Sequence, residues 1–375
     1  MRRYQGTGIM GLLIFLLFLN ACSSYPIEDL GMVYALGIDD GEQSHHHVSV
    51  RIPVFDPEAE AKSLFLEGEG VSIRNALKSI NEQTERHLVL GQTWAVVVGE
   101  QLAKEGIHQH LDILTRDPQF PLNAGLFICH SKAWDFIREP VSSSPRFGDY
   151  LKDALKTAEK DGFVLGTNLN YFYIRRLAEG WDPCLPFVTR NKSGIRQLGI
   201  ALFKDDKMVG DLGMVESQFL VVLDGRVSDT PLGFDDPAEP DTGIADRKYV
   251  SVEVVKAKPK VRMSLENGTV QINIRIKLDV DIVDKESLLE LVCADTLKKY
   301  EESFAQEFSS RAERLIEKLQ ALQTDPLGLG AYLRMQHYET WKQMGGEKTW
   351  REFWQGANVT VKTNLKIRRF GVVVK

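Results

Sequence analysis

The chain has 375 residues and a formal net charge of −6, with 43% apolar and 26% charged residues. These proportions are ordinary for a globular protein, and the length predicts two or three hydrophobic cores, because single domains usually stop growing near 250–300 residues. The acidic balance argues against a nucleic-acid-binding protein, since such proteins usually present a basic surface.

An apolar run, Ile9–Leu19, opens the chain behind two arginines. Its eleven residues are too few to cross hydrocarbon, which needs roughly twenty, so the run predicts a signal peptide over residues 1–21. The sequence LNAC at its end fits the lipobox of bacterial lipoproteins, in which the chain is cut between Ala21 and Cys22 and the Cys22 sulfur carries a diacylglyceryl group. The alternative is an ordinary secretory signal that contains a cysteine.

Removal of residues 1–21 takes away two arginines and no acid, so the mature chain carries −8. A surface with that net charge is not drawn to anionic lipid. We therefore expect membrane attachment through the acyl chains on Cys22. Each methylene that these chains bury in the bilayer contributes about 0.8 kcal/mol to the binding free energy. The rest of the chain is predicted to be a body outside the cytoplasm.

The cysteines that remain are Cys129, Cys184 and Cys293. An odd number of widely spaced cysteines does not predict a disulfide framework, and at most one bridge can form. We expect these residues to be buried free thiols.

Strand and helix patterns alternate after residue 22, which predicts a mixed α/β domain over residues 22–192. A basic linker is predicted near residues 190–196, after Pro183 and Pro186. The predicted elements are strands 31–39 and 46–55 joined as a hairpin, a helix over 72–89 capped by Ser72, a buried strand over 93–100, one or two helices over 101–117, a strand over 122–130 and a helix over 147–162.

Strand patterns dominate the next stretch, which predicts a β-rich middle domain over residues 193–245. Two runs flank Asp205 and Asp206, and a third apolar run ends at Gly225. Residues 229–243 are rich in proline, glycine and acid, so they are predicted to be an exposed loop or a domain boundary.

A C-terminal α+β domain is predicted over residues 246–375. Residues 249–284 alternate apolar and polar positions around Asn267 and Gly268, which predicts a hairpin with a two-residue turn. A long helix is predicted from Ser287 to near Leu322, with one apolar stripe that packs on the chain's own sheet or docks a partner helix. A short helix ending in YETWKQM and a last strand over 357–374 follow, and that strand is expected to join the sheet begun at Tyr249.

Motifs that carry catalytic chemistry are missing from the sequence. It contains no G-x-S-x-G, H-E-x-x-H, paired C-x-x-C or G-x-x-x-x-G-K pattern. His45–His47 would alternate between two faces of a strand, which disfavours a shared metal ion. Asp39–Asp40 and Asp205–Asp206 each lie between predicted strands, where solvated turn acids are typical. We expect no catalytic residue, cofactor or metal.

Several blocks of the chain, taken in order, carry a resemblance that extends over almost all of the mature sequence. The blocks are the lipobox, GMVYALGID, GQTWAVVVGEQLAKEGIHQHLDILTRD, LGIALFKDDKMVGDLG, DPLGLGAYLRMQHYETWKQM, W-R-E-F-W and KIRRFG. Together they resemble the Ger(x)C family of spore germination lipoproteins, the C subunits of nutrient germinant receptors. One departure follows the predicted lipid: many members have Trp and Asp there, whereas this chain has Ser23, Ser24 and Tyr25.

The resemblance implies a fold of the α+β class, with three mixed α/β domains in which helices pack on sheets. It implies a protein held by a diacylglyceryl-cysteine at residue 22 on the outer face of the spore inner membrane of a Gram-positive spore former. The implied partners are the integral membrane A and B subunits of the receptor. No enzymatic activity or cofactor is implied, so the expected role is receptor assembly or signalling of nutrient-triggered germination.

A solute-binding lipoprotein that captures a nutrient directly is the alternative from another class. It needs a cleft lined by aromatic and a few polar groups, and Trp94, Trp134 and Trp181 are the candidates for its lining. A cell-wall hydrolase is a weaker alternative because no catalytic constellation is present.

Overall fold

The computed structural model describes residues 25–41, 46–55, 58, 62–138, 147–165, 168–191, 194–238, 249–284 and 293–370. The signal peptide and the Ala21–Cys22 processing site predicted from the sequence lie outside these residues. The described strands are β1 (Leu30–Met32), β2 (Ala35–Asp40), β3 (His46–Pro53), β4 (Ser63–Gly70), β5 (His87–Val89), β6 (Ala95–Gly99), β7 (Gly125–Cys129), β8 (Cys184–Asn191), β9 (Gly194–Lys204), β10 (Lys207–Gly213), β11 (Thr230–Asp235), β12 (Tyr249–Glu266), β13 (Thr269–Asp284) and β14 (Asn358–Phe370). The described α-helices are α1 (Ile73–Asn81), α2 (Glu100–Glu105), α3 (His108–Thr115), α4 (Ala133–Arg138), α5 (Phe147–Lys160), α6 (Leu169–Leu177), α7 (Met214–Asp224), α8 (Ala294–Ala321), α9 (Leu329–Gln336), α10 (Tyr338–Gln343) and α11 (Glu347–Gln355).

Eight of the described strands form one mixed sheet in the order β10-β9-β8-β7-β6-β2-β3-β4. The central strands β2, β6, β7 and β8 are parallel to one another. Apolar clusters cover both faces of this sheet, so every residue of β6 and β7 is buried. This explains why the two strands are continuous apolar runs, as is typical of parallel sheets covered on both sides.

The hairpin predicted near the mature N-terminus is confirmed, since β2 pairs antiparallel with β3. Its first predicted strand is broken, however, because β1 leaves this sheet and pairs parallel with β5. The chain crosses between the two sheets at Val33 and Tyr34, whose amides donate to Val89 O at 3.0 Å and to Arg51 O at 2.9 Å.

The helix predicted from Ser72 is confirmed in its first half. Ser72 Oγ accepts a hydrogen bond from Asn75 N at 3.2 Å, as expected of an N-cap residue. The helix ends at Asn81 and does not continue to residue 89. Asn81 Oδ1 accepts from Leu88 N at 2.8 Å, which folds the chain back into β5.

The residues predicted to form a linker near 190–196 belong instead to a hairpin of the large sheet. Arg190 pairs with Ile195 and Asn191 pairs with Gly194. The domain limit predicted between residues 192 and 193 therefore falls within one sheet.

The apolar run predicted to be a third strand before Gly225 is the helix α7. Its residues Ser217–Leu223 are all buried, against β9 on one side and α8 on another. A run buried on every side carries no periodicity, so the sequence pattern alone does not distinguish a helix from a strand. Gly225, at φ 83°, ends the helix.

A second sheet, in the order β11-β12-β13-β14, forms the C-terminal part. The predicted turn is confirmed: Asn267 and Gly268 have φ of 50° and 80°, as a two-residue hairpin requires. The segment predicted as a loop or boundary contains the strand β11, which pairs with β12. The last strand joins this sheet, as predicted, and lies parallel to β13.

The long helix α8 crosses one face of the second sheet, and residues 287–292 of its predicted first part lie outside the described residues. Its apolar stripe packs on the chain's own sheet, which confirms the first of the two predicted alternatives. The buried members of the stripe are Tyr300, Phe304, Phe308, Ala312, Leu315 and Leu319. Two aromatic stacks fix the helix: Phe304 lies 4.7 Å from Phe234 and Phe308 lies 5.0 Å from Phe219.

One apolar core joins the parts of the chain. It contains Leu165 and Cys184 from the first half, Leu202 from the middle hairpin, and Val252 and Tyr300 from the C-terminal part. The mixed architecture of helices packed on sheets, predicted from the sequence, is confirmed.

Candidate functional site

The N-terminal end of the described chain lies against the small sheet of β1 and β5. Tyr25, the first described residue, stacks on His87 with ring centroids 4.7 Å apart and an interplanar angle of 14°. Among the residues that the structure describes, no helix combines the length and apolar character required to cross a bilayer.

The three tryptophans proposed for a solute cleft lie in three different places. Trp94 lines a groove of about 420 Å³ at the amino ends of β6 and β7. The Trp134 ring faces the guanidinium of Arg138 at 4.5 Å. Trp181 faces Arg175 at 4.4 Å and donates its Nε1 proton to a backbone carbonyl 3.1 Å away. Only Trp94 of these three lines that groove within the described part of the chain.

Asp39, predicted to be a solvated turn acid, is buried at the carboxyl end of β2 with 3% of its surface exposed. Its two oxygens accept hydrogen bonds from Ala133 N and Trp134 N, each at 2.8 Å, and so cap the amino end of α4. Burial raises the pKa of Asp39, and the two backbone donors oppose that shift. A Cβ on Gly99 would lie 2.2 Å from Asp39 Oδ1, so the cap requires glycine there.

Cys129 ends β7, and His130 follows it beside a cavity of about 350 Å³ that Asp39, Glu100 and His130 line. Burial raises the pKa of the Cys129 thiol well above its usual value, and Sγ donates to Ser131 O at 3.0 Å. A thiol of this kind is a poor nucleophile. His130 Nδ1 lies 2.8 Å from Glu100 Oε2, so this ring nitrogen already has a partner. The arrangement serves to hold α4 on the sheet.

The other cysteines follow the prediction in part. Cys184 is buried, as Cys129 is, whereas Cys293 is exposed and does not match the expectation of a buried thiol. It immediately precedes α8, outside the apolar core.

The histidines of the predicted triple engage different partners. His45 lies outside the described residues. The His46 ring contacts the His110 ring at 4.7 Å, and His47 Nε2 lies 3.3 Å from Glu67. No three His, Cys, Asp or Glu side chains within the described ranges are grouped to hold a metal ion.

A cluster of buried and half-buried polar side chains lies where residues from the two halves of the described chain meet. Arg351 donates to both oxygens of Asp182, each at 3.0 Å, and to Asp205 Oδ1 at 2.8 Å. Only 5% of the Asp182 side chain is exposed, so the bidentate pair is largely desolvated. Asp205, at φ 58°, occupies the predicted turn between β9 and β10. We call Asp182, Asp205, Asp325 and Arg351 the junction cluster.

Asp325 is the most buried member of the junction cluster, with 1% of its surface exposed. Its carboxylate accepts from Gly330 N at 2.8 Å. Its backbone N donates to Asp182 Oδ2 at 2.8 Å, and Asp182 N donates to Asp325 O at 3.0 Å, so the two Asp-Pro turns bind each other. Burial raises the pKa of Asp325 to about 7, and the negative charge of Asp182 acts in the same direction.

Two glycines let the backbones touch beside this cluster. Gly180 has φ +73°, and a Cβ on it would lie 2.5 Å from Gly330 C. Ala331 N donates to Gly180 O at 2.9 Å across the same contact. Local sequence patterns do not predict this cluster: Asp182-Pro183 and Asp325-Pro326 are two of five Asp-Pro pairs in the chain, and nothing in the sequence distinguishes them from the others.

Comparisons with known proteins identify relatives over almost the whole chain. The family model "Spore germination protein N-terminal domain" matches residues 23–190, and "Spore germination B3/GerAC like, C-terminal" matches residues 198–371. The spore germination protein GerQC of Bacillus cereus is 23% identical over 361 residues, covering 96% of this chain and 98% of that protein. The spore germination protein B3 of Bacillus subtilis (strain 168) is 21% identical over 379 residues, covering 96% and 98%.

A solved structure agrees in fold. The crystal structure of the GerBC protein superimposes with a TM-score of 0.59 at 18% identity and covers 88% of this chain and 96% of that one. The two family models meet between residues 190 and 198, at the hairpin of β8 and β9. The junction cluster thus joins residues from both matched regions.

Proposed function

Because the chain belongs to the GerAC-like family of spore germination proteins, we propose that it is the lipid-anchored C subunit of a spore nutrient germinant receptor. It works with the integral membrane A and B subunits on the outer face of the spore inner membrane. Its role is receptor assembly or signalling, and it contributes contact surfaces without catalysis. The observation that carries this proposal is the match to both family models behind a lipobox at Cys22.

Membrane attachment in this proposal depends on Cys22. Since Cys22 precedes Tyr25 by three positions and Tyr25 stacks on His87 of β5, we expect the small sheet of β1 and β5 to face the membrane. Confinement to the membrane raises the effective concentration of the chain near membrane partners, so weak contacts suffice for assembly.

The junction cluster supports an assembly role. A subunit that contacts two different partners keeps both in register only if its own halves are fixed relative to each other. The buried pair of Arg351 with Asp182 and the backbone contact of Gly180 with Gly330 supply that rigidity.

Replacement of Cys22 by Ala in the native host tests the proposal. We expect the Cys22→Ala protein in the soluble fraction, with loss of nutrient-triggered germination and normal germination by a trigger that bypasses nutrient receptors. Cys293→Ala is the matched control, because that thiol is exposed and distant in sequence. Normal nutrient response in Cys22→Ala spores would refute the receptor role, and retention of the variant protein in the membrane would refute the anchor.

Direct nutrient capture is the second candidate function, because the groove at Trp94 has a volume of about 420 Å³, within the range of small-ligand sites. Polar side chains such as Asn123 and Asn168 share its lining. Calorimetric titration of nutrients into the protein separates the two roles: a saturable micromolar response that Trp94→Ala abolishes and Trp134→Ala retains would favour capture.

A further inference from the structure

The outward face of the second sheet carries a concentration of positive charge. Side chains on β12, β13 and β14 alternate between the core under α8 and the opposite, uncovered face. Eight exposed cations on that face, which no described helix covers, are Lys256, Lys258, Lys260, Arg262, Arg275, Lys277, Lys362 and Lys366, apart from Arg368, which lies beside Asp281. We call these eight residues the basic face.

Strand register brings the cations into rows. Lys260 on β12 lies opposite Arg275 on β13, which lies opposite Lys362 on β14. Lys258 and Lys277 are opposite each other in the next row. Directly opposed like charges destabilise a sheet, so the arrangement costs stability in the isolated protein.

Acidic side chains do not neutralise this face. Asp279 lies within the rows, between Lys256 and Lys366, and Glu253 lies opposite Asp281 at one end of the face, so acids are fewer there than cations. Asp281, at the end of the rows, forms an ion pair with Arg368, with Arg368 Nε 3.6 Å from Asp281 Oδ1. None of the eight cations forms an ion pair with a residue in the described part of the chain.

The charge is separated within the molecule. With a total of −6, the chain without these eight cations would carry −14. An anionic surface therefore attracts one face and repels the remainder, which orients the body as well as binding it.

The composition of the basic face favours a lipid surface over a protein partner. Six of its eight cations are lysine, a residue depleted from protein–protein interfaces, and aromatic anchors of the kind that supply interface affinity are missing from its rows. The other outward residues in the rows are small and polar, Asn273, Thr360 and Asn364. Clusters of four to eight Lys and Arg are typical of surfaces that bind anionic lipid headgroups.

We propose that the basic face binds the anionic headgroups of the membrane to which the chain is anchored. This inference rests on the proposed function, because it assumes that the chain is attached to the membrane. It gives the protein a second contact, on the C-terminal half, in addition to the lipid near the N-terminus. One acyl signal combined with a basic patch is stronger than either alone.

Vesicle flotation tests the inference without the acyl chains. The mature chain with Cys22→Ala retains every residue that the structure describes and cannot be acylated at residue 22. It is mixed with vesicles of phosphatidylcholine, or of phosphatidylcholine with 30% phosphatidylglycerol, at low and at high salt. We expect binding to the anionic vesicles alone, with loss of binding at high salt, because surface charges are screened within a Debye length.

The variant with Lys258, Lys260, Lys277 and Lys362 replaced by Gln should bind the anionic vesicles at least roughly a hundredfold more weakly, since each cation near such a surface contributes about 1 kcal/mol. The matched control replaces four exposed lysines elsewhere by Gln, with the same change in net charge. These are Lys78, Lys160, Lys299 and Lys348.

Each outcome decides the matter. Equal binding to both vesicle types, or an equal loss in the two quadruple variants, would overturn the assignment of the basic face. Retention on soluble poly-glutamate without vesicle binding would assign the face to an acidic protein partner and overturn the lipid proposal. The protein is not acylated at residue 22 in any of these vesicle experiments. A failure of the basic-face proposal would therefore leave the proposed lipid anchor at Cys22 untouched.

Discussion

Replacement of Asp325 by Asn should change how the stability of the protein depends on pH. Asp325 is buried, and its pKa is raised to about 7 from the usual value of 3.8. The folded protein therefore keeps this carboxyl protonated at pH values where the unfolded chain has released the proton. A raised pKa of this kind gives stability that is fully present below pH 3.8 and is lost as the pH rises through 7.

The size of the effect follows from linkage. Each pH unit between the two pKa values costs the folded state about 1.4 kcal/mol, with less near either end. Between pH 5 and pH 7 the free energy of unfolding should fall by about 2 kcal/mol relative to a chain that cannot ionise at residue 325. Asn supplies such a chain and keeps an oxygen that accepts from Gly330 N.

Denaturant unfolding, followed by tryptophan fluorescence, measures this difference at pH 5, 6, 7 and 8. Trp350 and Trp354 lie near the junction cluster and report on it, since Trp354 Nε1 donates to Thr324 O at 3.0 Å. We expect the free energy of unfolding of Asp325→Asn, relative to that of the unsubstituted chain, to increase as the pH rises. Asp153→Asn, at an exposed position of α5, is the control for a lost carboxyl. A difference between Asp325→Asn and the unsubstituted chain that stays constant with pH would refute the reasoning.

Three further substitutions test the contacts that fix the fold. Arg351→Ala should lower the free energy of unfolding by about 3–5 kcal/mol in a denaturant titration, because it leaves the buried Asp182 carboxylate unpaired. Asp39→Ala should lower it by about 1–3 kcal/mol, because two buried amides at the start of α4 lose their acceptor. Gly180→Ala should lower the melting temperature and the soluble yield, because its Cβ would meet the Gly330 backbone at 2.5 Å.

Conservative or neighbouring changes serve as controls for these three. Arg351→Lys keeps the charge without the bidentate geometry, so it should cost less than Arg351→Ala. Asp39→Asn retains one acceptor and should be milder than Asp39→Ala. Gly233→Ala places a Cβ where nothing lies within 4 Å, and it should leave the melting temperature nearly unchanged. If the two variants of a pair lose the same stability, the contact tested by that pair does not stabilise the fold in the way proposed.

Local patterns in the sequence predicted the parts of the fold that obey local rules. Ser72 caps a helix because its hydroxyl reaches an amide three residues away, and Asn267–Gly268 forms a turn because both adopt positive φ. The stripe on α8 recurs at helical spacing, so its burial followed from the sequence. These contacts join residues that are close in sequence, so they can be predicted from a short stretch of the chain.

Long-range contacts account for what the sequence did not predict. Asp39 is an acid between two strands by local pattern, yet its acceptors serve the amides of Ala133 and Trp134, some ninety residues away. The junction cluster depends in the same way on residues from distant blocks. The helix α7 was predicted as a strand because burial on all sides removes the periodicity that distinguishes the two.

Net charge does not say where the charges lie on the surface. The prediction that the protein is not attracted to anionic lipid rested on net charge alone, so it could not detect a local basic face. The net charge of −8 expected after removal of the predicted signal peptide argued against attraction to anionic membranes. Alternating cations such as Lys256, Lys258 and Lys260 were visible in the sequence, but only strand register shows that they share a face with Lys277 and Lys362.

The edge strand β14 ends the second sheet, and helix α8 occupies part of its free edge. Glu313 accepts from Val361 N and Glu301 accepts from Ile367 N, each at 2.9 Å. Amides on an open edge would otherwise recruit a strand from a neighbouring molecule. Copies at high local concentration would be exposed to that hazard, and these two glutamates restrict it by leaving fewer free backbone donors for strand addition.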